Sequence, residues 1–120
     1  MKGLHLTADL YRCRCEAPWL SDAARLQAWC ASAAQAVGLE PLAHVFHSTG
    51  DGGTSGTVLM GGAHVCLHTW PAEKAVAADV YVGDTGTDQS AKARGLMFAL
   101  VNRFQPEWTE QRSLDRGEEE

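Results

Sequence analysis

No run of apolar residues in this 120-residue chain approaches the roughly eighteen that a membrane-crossing helix needs. The opening Met1-Lys2-Gly3 passes straight into alternating sequence without a signal peptide's apolar core, so a soluble, cytoplasmic protein is expected. Positive charge is scarce and scattered. Ten Lys and Arg stand against fifteen Asp and Glu, a net charge of -5, and no basic stripe offers a nucleic acid its electrostatic footprint. Cysteine is sparse too: the four residues at 13, 15, 30 and 66 are irregularly spaced, as reduced thiols are and a disulfide framework is not. Cys13-Arg14-Cys15 has no second short-spaced pair to complete a zinc cage, so it reads as two ordinary thiols at the end of a strand. Nucleic acid, membrane and metal are therefore not expected as partners.

What is present suits one domain with a single modest core: 45% of residues are hydrophobic and 21% charged. Leu4, Leu6, Ala8 and Leu10 alternate with His5, Thr7, Asp9 and Tyr11, the period-two mark of a strand with one apolar face. Ser21-Asp22 then caps a helix carrying Ala24, Leu26, Trp29, Cys30, Ala33 and Val37 at helical spacing, stopped by Gly38. Strands are expected over 42–48, 54–60, 63–70 and 76–82, separated by Gly50-Asp51-Gly52-Gly53, by Gly61-Gly62 and by residues 71–74. A second helix over 89–103 places Ala93, Leu96, Met97 and Leu100 on one face, and a short last strand runs over 108–112.

The order β-α-β-β-β-β-α-β predicts an α+β fold, a two-layer sandwich of an antiparallel sheet with both helices on one face. Residues 1–112 form the domain, and 113–120 are expected to be an acidic, solvated tail. The second sheet face collects His5, Asp9, His47, His64, His68 and Asp79. A face so polar lines a site or meets another subunit. The histidine pairs do not suggest a metal: His64 and His68 share a face but lie about 13 Å apart at ~3.3 Å per residue, and His44 points away from His47.

Phe46-His47, Thr54-Ser55-Gly56, His64 through His68-Thr69-Trp70-Pro71, and Ala77-Ala78-Asp79-Val80-Tyr81 stand in an order that resembles the bacterial S-adenosylmethionine decarboxylases. Asp9-Leu10-Tyr11 with Cys13 resembles that family's first strand. The resemblance covers roughly residues 3–105 and implies the family's fold, polyamine biosynthesis and assembly as a homodimer. It also implies a chemistry: these proenzymes cleave themselves when a serine hydroxyl attacks the preceding carbonyl, leaving a pyruvoyl group that serves as electron sink for decarboxylation.

Carried over position by position, the resemblance puts Ala63 where the pyruvoyl-forming serine stands and Gly62 where a glutamate precedes it. Gly83 stands for the cysteine proton donor, Ala72 for the ribose-holding glutamate, and Thr49 for the aromatic beside the adenine ring. Ser55 and His68 match the residues that assist processing. Alanine has no side-chain nucleophile, so no pyruvoyl cofactor is expected, and Cys66 faces the wrong side of its strand to substitute. The expected protein is a pseudoenzyme with a binding or regulatory role. Its partners would be a second copy, an active paralogue in a mixed dimer, or a small adenosyl metabolite held by His47, Thr49, His64, His68 and Asp79. The alternative is an active enzyme on the same fold, either the decarboxylase itself or a non-pyruvoyl lyase or hydrolase of an adenosyl-sulfonium, with Asp79, His47 or His68 as base.

Overall fold

Alternation in the first ten residues becomes β1 (Lys2–Tyr11) in the computed structural model, which describes residues 1–118. Leu4, Leu6, Ala8 and Leu10 are buried, while His5, Thr7, Asp9 and Tyr11 stand half-covered on the opposite face. After it come α1 (Pro18–Ser21), α2 (Ala23–Ala36), β2 (Ala43–Ser48), β3 (Thr54–Met60), β4 (Ala63–Trp70), β5 (Ala75–Gly83), α3 (Ser90–Phe104) and β6 (Trp108–Gly117). The six strands make one antiparallel sheet in the order β2-β3-β4-β5-β1-β6. β2 to β5 form a meander because their short links permit only neighbouring antiparallel strands. β1 slots between β5 and β6, and α3 carries the chain across β5 and β1 to reach that far edge.

All three helices cover one face, as the α+β sandwich requires. Leu26, Cys30 and Ala34 of α2 and Ala93, Leu96, Met97, Leu100 and Phe104 of α3 meet Leu4, Leu6, Leu10, Val58, Val65, Leu67, Val76, Val80 and Val82 of the sheet. Each large side chain among them is worth about 1.5–3 kcal/mol when fully buried. Helix ends follow the expected chemistry. Asp22 Oδ1 accepts from Arg25 N at 3.1 Å and caps α2, and Gly38 takes the left-handed φ of 85° beyond its end. Asp88 Oδ1 accepts from Ser90 N at 2.8 Å at the start of α3.

Two expectations are corrected. α1 was not anticipated: Pro18 opens a single turn that buries Leu20, too short to show any helical period. The last strand does not stop at Arg112. It runs to Gly117, paired residue for residue with β1 from Tyr11↔Trp108 to Lys2↔Gly117. Residues 113–117, expected as part of the tail, are therefore strand, because the ladder is built from backbone groups that β1 offers along its whole length, whatever the side chains of β6. Glu119 and Glu120 of the expected tail lie outside the described residues.

Thr69 is the one inward polar side chain of β4, and it ties the layers together. Its hydroxyl donates to Leu20 O at 2.6 Å and accepts from Thr54 N at 2.9 Å, with both threonines buried. Replacing Thr69 by Val leaves a buried carbonyl and a buried N–H unsatisfied, at about 1–3 kcal/mol each. Urea unfolding of Thr69→Val should show a loss of at least about 2 kcal/mol with unchanged m-value. A loss under about 0.5 kcal/mol would contradict this role for the hydroxyl.

Candidate functional site

Strand pairing sorts the uncovered face into rows. One end holds Trp70, Ala75, Tyr11 and Trp108. The next row reads His47, Ser55, His68, Ala77, Asp9 and Glu110, then Val45, Thr57, Cys66, Asp79, Thr7 and Arg112, then Ala43, Leu59, His64, Tyr81, His5 and Leu114. The six polar residues assigned to this face from alternation are all on it. They form no single cluster, since three residues of strand lie between His64 and His68.

One centre is a serine–histidine pair. Ser55 Oγ lies 2.8 Å from His68 Nδ1 across the β3–β4 ladder, with the Trp70 ring 6.3 Å from the His68 ring and His47 across from Ser55 on β2. The hydroxyl donates to Nδ1 in the tautomer that carries its proton on Nε2. Backbone N–H groups here are committed to the sheet ladder and lie in its plane, so no oxyanion hole faces Ser55. Such a pair can share a proton and hydrogen-bond a polar group, but these two residues alone do not make an acyl-transfer site.

The second centre is aromatic. His5, His64 and Tyr81 surround one another with ring centroids 6.0 to 6.3 Å apart. Burial, and after it the neighbouring His5, hold the His64 imidazole below its ordinary pKa, against the opposing pull of Asp79. Asp79 sits between the centres, paired with Thr7 on β1 and Cys66 on β4. Burial and then Asp79 push the Cys66 thiol up, and hydrogen bonding with Thr57 offsets this only in part. Among the described residues, no three His, Cys, Asp or Glu side chains converge as a metal site requires.

Ala63 begins β4 with its methyl buried toward the helices, 7% exposed, whereas Cys66 is on the open face. The carbonyl that precedes it, Gly62 O, accepts from Gly83 N at 2.9 Å. A Cβ at residue 83 would stand 3.0 Å from that carbonyl, so β5 brings this position directly against the Gly62–Ala63 peptide. Thr49 belongs to neither centre. It sits in the β2–β3 turn, where its hydroxyl donates to Asp51 and its N–H donates to Gly53 O at 2.9 Å. Ala72 is exposed in the β4–β5 turn, next to Glu73.

A family model described as S-adenosylmethionine decarboxylase matches residues 4–117. The chain belongs to the S-adenosylmethionine decarboxylase family. An S-adenosylmethionine decarboxylase proenzyme of Syntrophomonas wolfei is 35% identical over 79 residues, a match spanning 66% of this chain and 61% of the relative. The proenzyme of a Sulfurihydrogenibium species is 29% identical over 115 residues, covering 96% of this chain and 82% of that one. The crystal structure of the adenosylmethionine decarboxylase from Aquifex aeolicus superposes with a TM-score of 0.86 over 98% of this chain and 92% of that chain, at 24% identity, and so shares the fold.

Period-two reading placed the histidines of this family member but missed Tyr81, Trp70 and everything β6 contributes. Tyr81 alternates with Asp79, the signal that would have found it; Arg112, Leu114 and Arg116 needed the non-local β1–β6 pairing. Asp79 offers a direct test of the face's electrostatics. At pH 8, alkylation of Cys66 by iodoacetamide should run about two- to fivefold faster in Asp79→Asn, as removal of the carboxylate raises the thiolate fraction. Cys13 and Cys30, pushed up to about 11 and about 12, should stay unlabelled in the folded protein. Peptide mass spectrometry reads both, and an unchanged Cys66 rate would remove Asp79 from the account.

Proposed function

We propose that this chain is a non-processing member of the S-adenosylmethionine decarboxylase family that acts by binding a partner, and is no pyruvoyl-dependent decarboxylase. Ala63 carries this reading. The family's pyruvoyl group is made from the residue at this position and needs its side-chain oxygen, and a buried methyl does not supply one. Cys66 offers no replacement: its sulfur is on the opposite sheet face and its thiol is held protonated. The Gly62 carbonyl is instead engaged by the Gly83 N–H, at the position where the family's proton-donating cysteine would stand.

The partner that the open face fits best is a second copy of the chain. Its rim exposes Val45, Leu59, Trp70, Trp108 and Leu114, each at least 40% accessible, around a centre holding Asp9 and Asp79, with Glu110, Arg112 and Arg116 along the β6 edge. Apolar rim and mixed charge make the patch complementary to itself. A decarboxylating paralogue with the same face is the second occupant on this reading, regulated through a mixed dimer. Direct binding of S-adenosylmethionine is expected to be weak. Thr49 is occupied by its own turn and Ala72 offers no carboxylate for ribose hydroxyls. Free thiols at all four cysteines support a reducing, cytoplasmic setting.

Intact-mass measurement after expression tests the proposal. One species near 12.9 kDa, with no hydrazide-reactive carbonyl, is expected. Two fragments separated before residue 63 would overturn it.

A further inference from the structure

His5 and His64 reach each other only because β5 sits between their strands, and Tyr81 pairs with both. The three rings form one cluster, and His5 Nε2 is covered by its neighbours yet has no hydrogen-bond partner. From β6, Leu114 stands opposite His5, and the Arg116 guanidinium lies 6.0 Å from the Tyr81 ring. From β3, Leu59 stands opposite His64; Cys66, Asp79 and Thr7 occupy the adjoining row, and Met1 Sδ lies 4.0 Å from the Tyr81 hydroxyl. One carboxylate, Asp79, therefore favours a charged imidazole here. A second imidazole, an arginine and apolar neighbours on either side oppose it.

We propose that His5 and His64 form a proton-sensitive latch in the open sheet face: with both imidazoles neutral the face closes on a second copy of the chain, and protonation opens it. This inference rests on the self-association reading given above. Closure strips water from the cluster, which penalises charged imidazoles. The sign follows directly. His64 is already held below its ordinary value, and closure favours the neutral form further. Association is therefore complete above the open chain's titration range and is lost as pH falls through it. Each proton taken up on opening weakens association about tenfold per pH unit below that range.

Sedimentation equilibrium of the full chain between pH 8 and pH 6 tests the latch. The dissociation constant of the wild type should rise at least about tenfold as pH falls. In His5→Gln/His64→Gln the chain should still associate at pH 8, with the change cut to under about threefold. His44→Gln, altered on the helix side, should respond as the wild type does. Should the double variant fail to fold, His5→Gln and His64→Gln singly should each lower the slope of log Kd against pH. A dimer indifferent to pH, one that tightens as pH falls, or an undiminished response in the variants overturns the latch and leaves self-association standing. A chain that is monomeric at every pH overturns both.

Discussion

The double pairing of β1 is the constraint on which the rest depends. A strand at the start of the chain is held on one side by β5 and on the other by β6, so the sheet closes around a segment whose partners lie more than sixty residues away. Without it the β2–β5 meander would stand as a four-stranded ribbon, with α3 lacking half of the surface it covers. The same pairing sets the open face: His5 is placed beside Tyr81, Thr7 beside Asp79, and Asp9 beside Ala77 and Glu110. Register leaves no latitude here. A slip of one residue in β1 would send Leu4, Leu6 and Leu10 to the open face and His5 and Asp9 into the core.

Close approach of backbone to side chain then determines which face residues meet. Tyr81 lies over Gly3, where a Cβ would come within 2.8 Å of the ring carbon Cζ, so the glycine makes room for the ring that joins the two histidines. Phe46 lies over Gly56 in the same manner on the helix side, fixing the outer strand β2 to the core across the pair Phe46↔Gly56. Gly83 is the third case. With the Gly62 carbonyl 3.0 Å from where its side chain would begin, this position stands directly against the Gly62–Ala63 peptide and gives it an N–H.

Local pattern made most of the fold legible. The strands 54–60 and 63–70 were read to the residue because glycines bound the first on both sides and Gly61-Gly62 and Pro71 bound the second. α2 followed from Asp22 and Gly38, which act within one turn of the helix they delimit. β6 was half missed for the opposite reason: its residues on both faces are mostly exposed and polar, so only backbone pairing to a distant strand declares its full length. α1 is shorter than the period by which helices are recognised. At the site, alternation was enough to gather the histidines on one face, but which of them touch depends on strand order. Ser55 with His68 is a neighbour pair in sequence order of strands, whereas His5 with His64 requires β1 to have crossed to β5.

Those two centres differ in what they can do, and the difference bears on function. Ser55 Oγ and His68 Nδ1 already bond each other, so that contact is made without a ligand. His5 Nε2 is covered and unsatisfied, a state that costs free energy in the lone chain. A sheet face has few other ways to bind tightly: its backbone groups are spent on the ladder, and its side chains stand perpendicular in a shallow layer with no deep cleft. Such a surface gains more from another broad surface than from a small molecule, because only the former covers the apolar rim and the polar centre together.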